Sequence, residues 1–247
     1  MNGARTPATV VLVHGAFADG SGWNGVIERL HAEGVQVTAP ANPLRGITAD
    51  SAYLAAVLAQ IDGPVVAVGH SYGGAVITNA AADAENVVGL VYVAAFAPEE
   101  GETLGGAEAD SKDSVLNSAL VPRQYPVADS GSATEFSIDP AKVRDAFAGD
   151  LSEEAAGLIG ATQRPVAEAA FSEPSGPPAW KHLPSWAVVA TGDKAAGADI
   201  VRSMAKRAGA RITEVDGSHV IMVSQPQAVT DVILEAVAAV ASAPTGA

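Results

Sequence analysis

The chain has 247 residues, 48% of them apolar, enough to bury one substantial core, and it carries a formal charge of −14. Such a surface repels nucleic acid and anionic membranes, so neither is expected as a partner, while a small neutral or apolar molecule is. With no cysteine, a disulfide framework, a thiolate nucleophile and a thiolate metal site are all excluded.

Met1 to Ala8 lacks the positive segment followed by an apolar run that marks a signal peptide, and no apolar run reaches the ~18 residues of a membrane span, so a cytoplasmic location is expected. Apolar runs predict strands at Thr9 to Val13, Val35 to Ala39, Val65 to Gly69, Val87 to Val93, Trp186 to Thr191 and Arg211 to Val215. Helical spacing of apolar residues occupies Trp23 to Glu33, Ser51 to Ile61, Ile200 to Ala208 and Gln225 to Ala241, with Pro226 suited to a first turn. Alternation of this kind predicts an α/β fold, a mostly parallel central sheet with helices on both faces. The rhythm breaks between Pro98 and Pro184, where Pro140 to Ala148 and Ser152 to Ile159 are the helical pieces and no strand stands out. That stretch reads as an inserted helical cap: residues 1–97 and 183–247 form the core and 98–182 the insertion, within one structural domain. Ala243 to Ala247 reads as a frayed tail.

Chemistry concentrates at Gly69-His70-Ser71-Tyr72-Gly73, a G-x-S-x-G pentapeptide between an expected strand and an expected helix. In that setting it describes a nucleophile elbow with Ser71 at its tip. A serine hydroxyl needs a base and a group to orient the base. His219, in Gly217-Ser218-His219 just past the last expected strand, is the candidate base. Asp193, in Thr191-Gly192-Asp193 directly after another strand, is the foremost candidate acid; Asp199 and Asp216 compete with it. His70 is expected to pack away from the serine, His14 to hydrogen-bond within its own loop, and His31 and His182 to face solvent. The backbone N–H groups of Tyr72 and Ala16 are the expected oxyanion donors, with Gly15 allowing close approach. Phe17, Trp23, Phe96, Trp180 and Val220 are the expected pocket side chains.

Together these segments resemble the α/β-hydrolase superfamily, and within it the branch of plant methyl esterases, plant hydroxynitrile lyases and related bacterial serine esterases. The resemblance rests on Val11-Leu12-Val13-His14-Gly15-Ala16 with Trp23, on Val68 to Gly74, on Leu90-Val91-Tyr92-Val93-Ala94-Ala95-Phe96, and on Gly192-Asp193 with Gly217-Ser218-His219. It spans nearly the whole core and none of the insertion. It implies ester hydrolysis through an acyl-enzyme on Ser71, with no metal or organic cofactor. Hydroxynitrile lyases carry a threonine and a lysine where this chain has Gly15 and Val220, which turns the implication away from a lyase. Ser71 stands where dehalogenases and epoxide hydrolases have an aspartate. Lys194-Ala195-Ala196-Gly197-Ala198 departs from the proline-containing sequence common after the acid. The expectation is therefore a serine esterase for small apolar or aromatic esters. Its alternatives are a lactonase, C–C bond hydrolase or lyase using the same residues, and a non-catalytic ligand receptor on the same scaffold.

Overall fold

The computed structural model describes residues 7–128 and 131–242; the expected tail at Ala243 to Ala247 and most of Met1 to Ala8 lie outside these. The core alternates strand and helix: β1 (Thr9–Val13), α1 (Asn24–Ala32), β2 (Val37–Thr38), α2 (Ile47–Leu58), β3 (Val65–His70), α3 (Tyr72–Ala80) and β4 (Val87–Val93). A long excursion follows, with α4 (Leu104–Ala109), β5 (Leu120–Val127), β6 (Gly131–Ile138), α5 (Val143–Ala146), α6 (Glu153–Thr162), β7 (Val166–Ala167) and α7 (Ala169–Ser172). The core resumes at β8 (Ser185–Ala190), α8 (Ala198–Arg207), β9 (Arg211–Val215), α9 (Ile221–Ser224) and α10 (Pro226–Ser242). Six strands form one sheet in the order β2-β1-β3-β4-β8-β9, every neighbouring pair parallel.

Period-two alternation divides each buried strand between two apolar layers. Val10, Leu12, Val66, Val68, Val91 and Val93 face the layer of α1 and α10, with Leu30, Val229 and Ile233. Val11, Val13, Val65, Ala67, Leu90 and Tyr92 face the opposite layer with Leu54, Leu58 and Ile77 of α2 and α3. Burial on both faces explains why these strands read as continuous apolar runs. Of the expected strands, only Val35 to Ala39 shrinks markedly, to Val37–Thr38 at the sheet edge.

The excursion corrects the sequence reading. Besides its expected helices it holds a three-stranded antiparallel sheet, β5-β6-β7. Pro122 and Pro126 conceal β5, and they are tolerated because β5 is an edge strand. The helix expected from Ser152 starts one residue later, because Ser152 is its N-cap and accepts from Ala155 N–H at 3.2 Å.

Space separates two helical glycines that propensity alone would treat alike. A Cβ at Gly73 would overlap the carbonyl oxygen of Val13, whereas one at exposed Gly157 meets nothing within 4 Å. We expect Gly157→Ala to stabilise the fold by about 0.5–1 kcal/mol, and Gly73→Ala to destabilise it by about 1–3 kcal/mol, both read from urea unfolding midpoints.

Candidate active site

Parallel strands place their carboxyl ends at one rim of the sheet, where open α/β sheets bind ligands. β1 runs into His14-Gly15-Ala16 there, β3 into Ser71, β8 into Asp193 and β9 into His219. Ser71 has φ 53° and ψ −123°, the left-handed side of backbone space that a serine avoids. Three backbone hydrogen bonds pin it: Ser71 N–H donates to Val93 O at 3.2 Å, and Ser71 O accepts from Gly74 N–H at 2.9 Å and Phe96 N–H at 3.2 Å. Gly15 is required by proximity, since a Cβ there would lie 2.6 Å from that of Ser71.

His219 and Asp193 are both 1% exposed, and Nδ1–H of the imidazole donates to Asp193 Oδ2 at 2.8 Å. That bond fixes the tautomer and leaves the Nε2 lone pair free to accept a proton. Asp193 Oδ1 accepts from Ala195 N–H at 2.9 Å and Ala196 N–H at 3.1 Å. The competing acids are elsewhere: Asp199 accepts from Ser111 Oγ at 2.6 Å and Lys112 N–H at 2.8 Å, and Asp216 from Thr191 Oγ1 at 3.4 Å. Asp199 thus anchors the excursion rather than merely starting a helix. Among the described residues neither Ser71 Oγ nor His219 Nε2 has a hydrogen-bond partner, and neither atom is sealed from solvent. The backbone N–H groups of Ala16 and Tyr72 are also without partners among the described residues, although both residues are buried.

The remaining histidines divide cleanly. His31 and His182 are exposed, as expected. His14 Nδ1–H donates to Gly15 O at 3.0 Å, its Nε2 accepts from Asn42 N–H at 2.9 Å, and Asn42 Nδ2 returns a bond to His14 O at 3.0 Å. The loop carrying Gly15 and Ala16 is thereby held in shape. His70 does more than pack: its Nε2–H donates to the backbone oxygen of His219 at 2.9 Å, and the two rings lie 4.7 Å apart. Burial holds both His14 and His70 below the usual imidazole pKa, His70 far below it.

Of the expected pocket side chains, Trp23 is a correction. Spacing along the chain does not tell which face of the sheet a residue joins, and Trp23 belongs to the α1–α10 layer, its ring edge-on to His70 at 6.3 Å, behind the elbow. Phe17, Phe96 and Val220 are buried in the opposite layer. Trp180 packs against that layer and donates its indole N–H to Pro98 O at 3.0 Å, joining the two ends of the excursion.

Several neighbours of the site carry no sequence signal. Phe147 places its ring 5.0 Å from that of His219 and 6.2 Å from Phe17, and Phe171 stacks on Phe17 at 6.5 Å. Asp150 accepts from Ser218 N–H at 3.0 Å and from Ser218 Oγ, gripping the residue before His219. Tyr72 OH donates to buried Asp50 Oδ2 at 2.8 Å, so the residue after the serine is anchored by its side chain as well. On the other flank the excursion docks on the loop after β8: Val115 N–H donates to Lys194 O at 2.8 Å and Ser114 Oγ to Ala195 O at 2.6 Å. Gly197 allows this approach, because its Cβ would fall on Ser111 Oγ. The small residues from Lys194 to Ala198 are therefore a docking surface.

Residues 10–232 match the alpha/beta hydrolase family. The chain belongs to that family. Among solved structures it is similar to a pyrethroid hydrolase from Sphingobium faniae, with 22% identity, a TM-score of 0.79, and 95% of this chain and 98% of that one covered. It is also similar to polyneuridine aldehyde esterase (21% identity, TM-score 0.78, 93% and 99% covered). A variant of tomato methylketone synthase I bound to β-ketoheptanoate gives 19% identity, a TM-score of 0.74 and coverage of 95% and 99%. No curated protein sequence matches the chain. Among the described residues no helix is long and apolar enough to cross a membrane.

The two buried neutral histidines link stability to pH. Unfolding releases them to take up protons below about pH 6.5, so each removes up to about 1.4 kcal/mol of stability per pH unit as pH falls through that range. Urea titrations should show a shallower acid-side decline for His70→Gln than for the unmodified protein.

Proposed function

We propose that the protein is a serine hydrolase that cleaves small carboxylic esters through an acyl-enzyme. One observation carries this reading: a strained serine, an imidazole oriented by a carboxylate and two backbone N–H groups without partners among the described residues lie at the same rim of the sheet. In the reaction Ser71 Oγ attacks the ester carbonyl as His219 Nε2 takes its proton, and the new oxyanion accepts from Ala16 and Tyr72 N–H. Collapse breaks the bond to the alkoxide, which receives the proton from His219 and leaves as alcohol. Water then attacks the acyl-Ser71 ester by the same route, releasing the acid and restoring the hydroxyl. Asp193 keeps the imidazole in its accepting tautomer and stabilises the imidazolium.

Within this reading residues 98–182 act as a cap on the core built from 1–97 and 183–247. The substrate class is inferred from the side chains near the site: Phe17, Phe147 and Val220 border a small cleft of ≈ 50 Å³, whose wall also includes Asp19, Ser21 and Thr162. Small apolar or aromatic esters suit it. Support also comes from the hydrolase and esterase named among the similar structures.

Turnover of p-nitrophenyl acetate tests the proposal. Ser71→Ala should abolish it with the fold intact, and Asp193→Asn should lower kcat by about 10⁴, while Asp216→Asn, at an exposed carboxyl, should leave kcat within about threefold. Activity retained by Ser71→Ala refutes the mechanism. A wild type that turns over lactones or β-diketones but no simple ester moves the assignment to another reaction of the same site.

Phe147→Ala should raise kcat/KM for p-nitrophenyl hexanoate by about tenfold relative to the acetate. An unchanged acetate-to-hexanoate ratio would show that Phe147 does not set the size limit.

A further inference from the structure

One carboxyl lies beside the proposed site without a part in its mechanism. Glu108, at the end of α4, is 5% exposed. Its Oε1 lies 3.2 Å from Ser114 Oγ, which itself stands 2.6 Å from Ala195 O and accepts from Leu116 N–H at 3.4 Å. A hydroxyl has a single proton to give, and a peptide carbonyl can only accept. The proton of Ser114 therefore lies toward Ala195 O, the shorter contact. With that proton committed, the contact between Glu108 and Ser114 is a hydrogen bond only when the carboxyl supplies the proton. The same Ala195 gives its own N–H to Asp193 Oδ1 at 2.9 Å, and Asp193 Oδ2 accepts from His219 Nδ1 at 2.8 Å.

We propose that Glu108 is a positioning residue which, as a neutral carboxylic acid, donates to Ser114 and so secures the Ala195–Ala196 turn that holds Asp193. This rests on the reading of Ser71, His219 and Asp193 as the reacting set. An ionised Glu108 competes with Ala195 O for the one proton of Ser114, and one of the two bonds is lost. Burial pushes the Glu108 carboxyl up to about 6, with the charge of Asp193 acting in the same direction and His219 opposing. His219 and Asp193 are the charged or titratable groups that act on it. As pH rises past that value the turn loses its support. The bonds of Ser111 and Lys112 to Asp199 keep the excursion docked throughout, so the consequence falls on the orientation of Asp193 rather than on the fold.

The test compares Glu108→Gln, whose amide donates at every pH, with Glu108→Ala, which donates at none. It reads p-nitrophenyl acetate kinetics from about pH 5 to about pH 9 and hydrogen exchange at the Ala195 and Ala196 amides. We expect Glu108→Ala to lower kcat about tenfold near pH 5 with KM within about twofold. Glu108→Gln should match the wild type near pH 5 and exceed it by about threefold near pH 8, where the wild-type carboxyl is ionised. Near pH 5 the two amides should stay protected in the wild type and Glu108→Gln and lose protection in Glu108→Ala. Impairment of Glu108→Gln equal to that of Glu108→Ala overturns the proposal, as does a Glu108→Ala enzyme with wild-type kinetics and protection. A wild type without ester turnover refutes the proposed function instead, and amide protection then still decides the role of Glu108.

Discussion

Ser71 sits at φ 53°, a conformation with a cost of order 1–3 kcal/mol that persists only where the surroundings over-determine it. Here they do so from three directions. Val93 and Phe96 clamp its peptide from the neighbouring strand and the loop beyond it. Gly73 lets α3 lie on the end of β1, and Gly15 lets the first loop reach the serine itself. Each contact depends on β1, β3 and β4 standing side by side, which is what their unbroken apolar sequences secure. The strain is thus supported by the central sheet, and the same packing leaves the N–H of Tyr72 without a partner among the described residues.

The two loops that complete the site are shorter of support from the sheet and draw it from the excursion. Asp150 grips Ser218, and Phe147 lies against the ring of His219. On the opposite flank Ser114 and Val115 bond to the loop that carries Asp193, and Ser111 bonds to Asp199 in the first turn of α8. His70 joins the halves, because the residue before the serine holds the backbone of His219. A segment that looks like mere cover over the sheet edge is a second scaffold for the imidazole and the carboxylate. In the proposed reaction its loss would disturb proton transfer as well as access.

Much of this was legible in the sequence because it is local. Apolar runs located the main strands, glycine spacing located the elbow, and a strand followed within a few residues by Asp193 or His219 located the other two groups. What escaped depends on contacts between distant segments. Trp23 lies near the first loop in sequence but on the far side of the sheet in space. The β5–β6 hairpin is half exposed and carries two prolines, so neither alternation nor propensity announced it. His70 was expected to pack only, and Asp199 to sit at a helix start, because the bonds that define them join segments 149 and 88 residues apart. Phe147, Asp150 and Glu108 had no local pattern to mark them among 5 phenylalanines and 28 acidic residues.

The central claim is geometric, and a crystal structure of the protein after reaction with a small alkyl fluorophosphonate tests it most directly. The account predicts a phosphonyl group on Ser71 Oγ, with its oxygen about 2.7–3.1 Å from the N–H groups of both Ala16 and Tyr72 and His219 Nε2 turned toward the serine oxygen. An adduct on another residue, or a phosphonyl oxygen that meets neither N–H, would contradict it.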